Sequence, residues 1–199
     1  MAKSKNKRKS KGSWSPQLNL KNYIRKVARK LPIYECRMYS NWQEEGKTQV
    51  FVARQKANGN LIVGFYLIDL WCLGLKDTFY RELPVFEYEE IVQKTDNVIE
   101  REMGAGFVKV ESDLVHNVIY GSIEFAEDAG LAPHRDFNIT EYILEDVETI
   151  PFMDIEFGKD GKLFYIPGPD DNVNKVLSAL NKHIGSGNYD FLVDVRGMF

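Results

Sequence analysis

Between Leu61 and Leu75 the chain runs LIVGFYLIDLWCLGL, an almost unbroken apolar stretch whose single charge is Asp69. A membrane-crossing helix needs about 18–20 apolar residues, so the stretch is too short to span a bilayer. Its aromatic and β-branched content instead predicts a buried strand over Leu61–Trp71. Just ahead of it, Ala57-Asn58-Gly59-Asn60 carries the Asn-Gly pair of a tight hairpin turn, and Gln49–Arg54 has the pattern of the strand that would enter that turn. Ile33–Tyr39 reads as a further strand, and Leu73-Gly74-Leu75-Lys76 as the end of the third. An antiparallel β unit therefore occupies most of residues 32–80.

Helical periodicity governs the rest. Leu18, Leu20, Tyr23, Ile24, Val27 and Leu31 recur at near-helical spacing, with bases on the other face and Pro32 as a stop. This predicts a short basic amphipathic helix over 18–31 that docks on the body rather than in a membrane. Phe86 to Met103 reads as an acidic helix broken by Gly104 and Gly106. Ser112 to Ala129 is the clearest helix: Ser112 is placed to cap it, Val115, Val118, Ile119, Ser122 and Ala126 line one face, and Gly130 and Pro133 end it. Asn138 and Glu141 form a capping-box pattern for a second helix directly after it. Met153–Phe157 and Lys162–Ile166 flank Lys159-Asp160-Gly161 as a second hairpin. A helix capped by Asp170 or Asp171 follows, ending at Gly185, and Tyr189–Val195 is a last strand. The expected fold is α+β: a Lys-rich, disordered tail over 1–17, then one domain over 18–199, mainly strands in 32–80, mainly helices in 86–147, and hairpin, helix and strand in 152–196.

Charge is divided unevenly along this chain. Of its 26 Lys and Arg, eleven lie in residues 1–30: Lys3, Lys5, Lys7, Arg8, Lys9, Lys11, Lys21, Arg25, Lys26, Arg29 and Lys30. No acid accompanies them, so the remaining 15 bases face all 29 acids and residues 31–199 carry a net charge of −14. A basic arm on an acidic body is a pattern that meets polyanions, gaining affinity from counterion release. Trp14 beside the arm's bases adds a ring able to stack on an unpaired base.

Signatures of enzyme chemistry are sparse. No GxxxxGK[ST] or strand-linked GxGxxG occurs, so phosphate-cradle enzymes are disfavoured and no cofactor is expected. His116, His134 and His183 are far apart, with no HExxH or Cys-x-x-Cys, so no metal site is expected. With Cys36 and Cys72 as its only thiols, the chain has no disulfide framework. It also lacks the apolar core of a secretory signal, which together predict a cytoplasmic protein. Cys72, at the end of the apolar strand with Lys76 four residues on, is the candidate nucleophile, against its more ordinary use as packing. Three positions from it, Asp69 would point to the other face of a regular strand, and a carboxylate among such neighbours must bond backbone amides or pair with a base. His134, on a short connection between helices, is a candidate acid or base, against a capping or merely exposed role. For His116 and His183 the structural use is preferred.

Several segments resemble an uncharacterised family of bacterial proteins: Val52-Ala53-Arg54, Asn58-Gly59-Asn60, Leu67-Ile68-Asp69-Leu70-Trp71-Cys72-Leu73-Gly74-Leu75-Lys76, Gly130-Leu131-Ala132-Pro133-His134 and Ile166-Pro167-Gly168-Pro169. The resemblance covers most of the body and not the tail. It implies no activity, and marks Asp69, Cys72, Lys76 and His134 as the positions the pattern picks out.

Three functions follow as expectations. The first is a nucleic-acid-associated accessory protein that takes RNA or a ribonucleoprotein surface through the arm, with an acidic body open to a protein partner and no membrane association. The second is an enzyme built on Asp69, Cys72, Lys76 and His134. The third is a regulatory interaction protein whose arm folds back on its own acidic surface.

Overall fold

The computed structural model describes residues 16–192. Helix α1 (Pro16–Val27) and a 3-10 turn over Ala28–Lys30 lead into strand β1 (Ile33–Tyr39). The helix starts two residues before the expected position because proline suits a first helical turn, where its missing N–H has no partner to lose. A short helix, α2 (Trp42–Glu45), precedes β2 (Lys47–Gln55), β3 (Leu61–Asp69) and β4 (Gly74–Leu83). With β5 (Phe107–Val110) these make one sheet of order β4-β3-β2-β1-β5, every neighbouring pair antiparallel. The Asn58-Gly59 hairpin is present, Gly59 taking φ 87°.

Strand β3 is flanked on both sides and almost wholly buried, and its two faces serve two cores. Ile62, Tyr66 and Ile68 join Cys36, Met38, Val50 and Val52 under Ile24, Ala28, Val115, Val118 and Ile119. Those last five come from α1, its 3-10 turn and α4 (Ser112–Asp128). Leu61, Val63 and Phe65 join Phe51, Ala53 and Phe107 beneath Tyr88 and Ile99 of α3 (Val85–Met103). The architecture is α+β, an antiparallel sheet with helices on both faces.

Two strands escape a periodicity reading. The third strand ends at Asp69, not Trp71, and residues 70–73 turn directly into β4. Gly74 makes that turn possible: it holds φ 62°, and a Cβ there would lie 2.6 Å from the Ser122 carbonyl oxygen of α4. As an edge strand β4 alternates Asp77, Phe79 and Arg81 on one face with Thr78, Tyr80 and Glu82 on the other, so it shows no apolar run. Strand β5 has only four residues, between Gly106 and the start of α4.

Three other expectations are corrected. The helix read from Asn138 and Glu141 is one turn, α5 (Phe137–Thr140), followed by a 3-10 turn over Glu141–Ile143, with Asp136 at the N-terminal boundary. Backbone carbonyls freed by this break accept from buried side chains: Thr140 from Tyr66 and Ile143 from Arg54. Met153–Phe157 forms no strand, because α4 holds it by side chains. Asn117 donates to the Pro151 carbonyl and accepts from the Met153 N–H, and Phe157 stacks on Phe125. The Asp160-Gly161 turn survives with a single bridge, Lys159 to Lys162. Strand β6 (Leu163–Tyr165) pairs in parallel with β7 (Tyr189–Phe191), joined through α6 (Val173–His183). Asn172, rather than Asp170 or Asp171, caps α6 by accepting from the Lys175 N–H. Residues 193–195, the end of the expected last strand, lie outside the described residues, as does the tail before Pro16. Among the described residues no helix is long and apolar enough to cross a membrane.

Candidate nucleic-acid interface

The root of the basic arm is a helix fixed by its other face. Ile24 and Ala28 are fully buried, so the bases around them project outward: Arg25, Lys26 and Lys30 are exposed and Lys21 is half-buried. None of Arg25, Lys26 and Lys30 forms an ion pair among the described residues. Arg29 differs, being bonded to the body. Its guanidinium donates to the carbonyls of Leu144 and Glu141, both at 3.0 Å, and to the Asp146 carboxylate at 2.8 Å. It is committed to holding α1 on the body. Lys3, Lys5, Lys7, Arg8, Lys9, Lys11 and Trp14 lie outside the described residues.

Beside this root runs the edge strand β4. The Tyr80 phenol is held above its ordinary value of 10, first by burial and then by the Asp136 carboxylate, with Arg25 pulling the other way. Lys56 is spent nearby, 2.6 Å from Glu82 and over the Tyr23 ring.

The four positions marked for chemistry do not assemble into a nucleophilic site. Cys72 is wholly buried, in a third core with Ala129, Leu163, Tyr165, Leu180 and Tyr189. Burial, reinforced by the charges of Asp69 and Asp171, pushes its thiol up to about 12, the reverse of activation. Lys76 does pull that thiol down, as expected, but is outweighed, and its ammonium is 3.1 Å from Asp171. The Asp171 carboxylate also accepts from the Gly168 N–H and the Tyr165 hydroxyl. Asp69 ends its strand and accepts from the backbone N–H groups of Trp71 and Cys72, both at 3.0 Å, so it caps the turn. Desolvation by burial still raises its carboxyl to about 6. His134 does share a cleft of about 410 Å³ with Lys76, but it faces Asp77, with Nε2 3.7 Å away, and Cys72 does not line that cleft. The backbone ties the His134 loop to β4, since the His134 N–H donates to the Leu75 carbonyl. Together Asp69, Lys76 and His134 organise the turn between β3 and β4 and the loop packed on it.

Two buried polar residues, not singled out for a site, fasten this half of the molecule. Arg54, 1% exposed, donates to the carbonyls of Ile143, Arg29 and Leu31 and to the Glu145 carboxylate. His116 donates from Nδ1 to the Ser112 carbonyl and accepts at Nε2 from the Glu145 N–H, which fixes the neutral ring; burial lowers its pKa.

Sequence reasoning also missed an aromatic cleft on the α3 side of the sheet, about 250 Å³, lined by Phe79, Phe65, Phe51, Gln49, Arg81 and Ile91 among others. Only recognition of β4 as a strand would have revealed it, because Phe79 and Arg81 then fall on one face. Set against protein-family models, curated proteins and solved structures, the chain matches none.

Proposed function

We propose that this chain is a nucleic-acid-associated accessory protein, taking single-stranded RNA or a ribonucleoprotein surface through its basic N-terminal arm. The observation that carries the reading is the charge division: eleven bases and no acid in residues 1–30, against a net −14 in the remainder. Arg25, Lys26 and Lys30, exposed and unpaired among the described residues, continue the arm's charge onto α1 and the 3-10 turn after it, where phosphates can be met at fixed spacing. An acidic body repels duplex lying flat on it, which favours a strand held by the arm and its root over sequence reading in a groove. The body is left to face a protein partner.

The test is fluorescence anisotropy with mixed-sequence RNA and DNA strands. It compares the full chain with a full-length variant in which Lys3, Lys5, Lys7, Arg8, Lys9 and Lys11 are glutamine. Binding by the parent and its loss in the variant supports the arm. Equal binding by both, or none by the parent at low salt, removes the reading. An arm folded back on the acidic body would instead appear as a lower unfolding temperature in the variant.

A further inference from the structure

From the aromatic row on the sheet we infer that Phe79 is a stacking platform for one unpaired nucleobase of the strand held by the arm, an inference that rests on the proposed function and extends it. Phe51, Phe65 and Phe79 are directly opposite one another on β2, β3 and β4. The inner pair meets edge to face at 4.6 Å and the outer pair lies parallel, 4.6 Å apart with 11° between planes. Phe51 and Phe65 are covered at 4% and 6% exposure, whereas Phe79, on the edge strand, is 49% exposed. A stack whose last ring is open on an edge strand offers a flat surface at fixed orientation, and a base has a flat face of matching chemistry. Exposed aromatics alone mean little. Phe86 and Phe152 are more exposed, yet neither takes part in a ring pair among the described residues.

Polar groups at the rim fit the same occupant. The Gln49 amide and the Arg81 guanidinium line the cleft and have no hydrogen-bond partner among the described residues, so both can meet the edge of a base. Asp77, also lining it, repels phosphate, so the strand's backbone stays outside the cleft. Its natural track is the other side of the edge strand, where Lys56 bridges Glu82 of β4 and the Tyr23 ring of α1, the helix that carries Arg25. A strand held at the arm's root is thus on the element next to β4, and one base turned over that edge strand meets the ring.

The experiment compares the full chain with its Phe79→Ala and Phe79→Trp variants, using an unstructured RNA strand and a strand of equal length and charge with abasic positions. Loss of one base–ring stack weakens binding between about fivefold and about a hundredfold. Phe79→Ala should lose affinity for the RNA in that range, with its salt dependence unchanged and its thermal unfolding lowered only by the lost Phe65 pairing, and should lose nothing for the abasic strand. Phe79→Trp should retain affinity and show indole quenching on RNA addition. Unchanged RNA affinity in Phe79→Ala, while neutralising the arm abolishes binding, overturns the platform and leaves the arm standing. No binding of the full chain to either strand overturns both.

Discussion

Asp69 carries two opposed effects in one side chain. Its Oδ1 accepts from two backbone N–H groups of a tight turn, while burial raises its carboxyl from the ordinary 3.8 to about 6. A folded-state value above the unfolded one means that ionisation opposes folding. The cost is absent below about pH 4, grows toward pH 6 and stays in full above it. Asp69→Asn keeps an oxygen for the same N–H groups and cannot ionise. Its stability relative to the parent, from urea unfolding, should therefore rise between pH 4 and pH 7.5; a difference independent of pH would contradict this. The cysteines give a second check at this scale. Both are buried, with thiols pushed up to about 12. A mild disulfide reagent at pH 7.5 should leave both unmodified in the native protein and titrate both in denaturant. Rapid native labelling of Cys72 would restore a reactive thiol to consideration. That Asp69 must bond backbone amides or pair with a base was legible from its apolar neighbours. That Cys72 is sealed was not, because its cover comes from Leu163, Leu180 and Tyr189, some 90 or more positions away.

Among the elements, those with strong periodicity were readable and those made by tertiary demand were not. Strands β1 to β3 and helix α4 follow from runs and spacings of apolar residues. Strand β4 hides because an edge strand shows polar side chains on its open face. The stretch from Phe137 to Phe157 hides because its backbone is shaped to serve Arg54, Tyr66, His116 and Asn117. Two predictions follow from that service. Arg54→Met leaves three carbonyls and the Glu145 carboxylate without their donor and should cost at least about 3 kcal/mol, read as a lower urea midpoint with unchanged slope. For His116, the folded state holds the ring neutral below its ordinary 6.5, so the unfolded chain takes up the proton first. This contribution is intact above pH 6.5 and declines as pH falls through it. His116→Ala takes the acceptor from the part-buried Glu145 N–H, should cost about 1–3 kcal/mol at pH 7.5, and should flatten the decline below pH 6.5. A decline as steep as the parent's would place its origin elsewhere.

At the scale of the whole molecule the dominant fact is the opposition of a basic arm and an acidic body. It was legible from composition, since charge along a chain requires no fold to count. What composition did not show is how the arm is rooted. With Ile24 and Ala28 in the core and Arg29 clamped to the 141–146 segment, residues 20–30 belong to the body, and removing them would damage the fold rather than merely shorten the arm. Neutralising side chains in the full chain is therefore the sound way to question the arm. The most direct measurement is the salt dependence of single-stranded RNA binding for the parent and for the variant with glutamine at the six tail bases before Trp14. For a single strand, log K falls with log salt at about 0.7 per phosphate contacted. The account predicts a steep line for the parent and one shallower by up to about four for the variant. Parallel lines of equal affinity, or no binding by the parent at low salt, would contradict it.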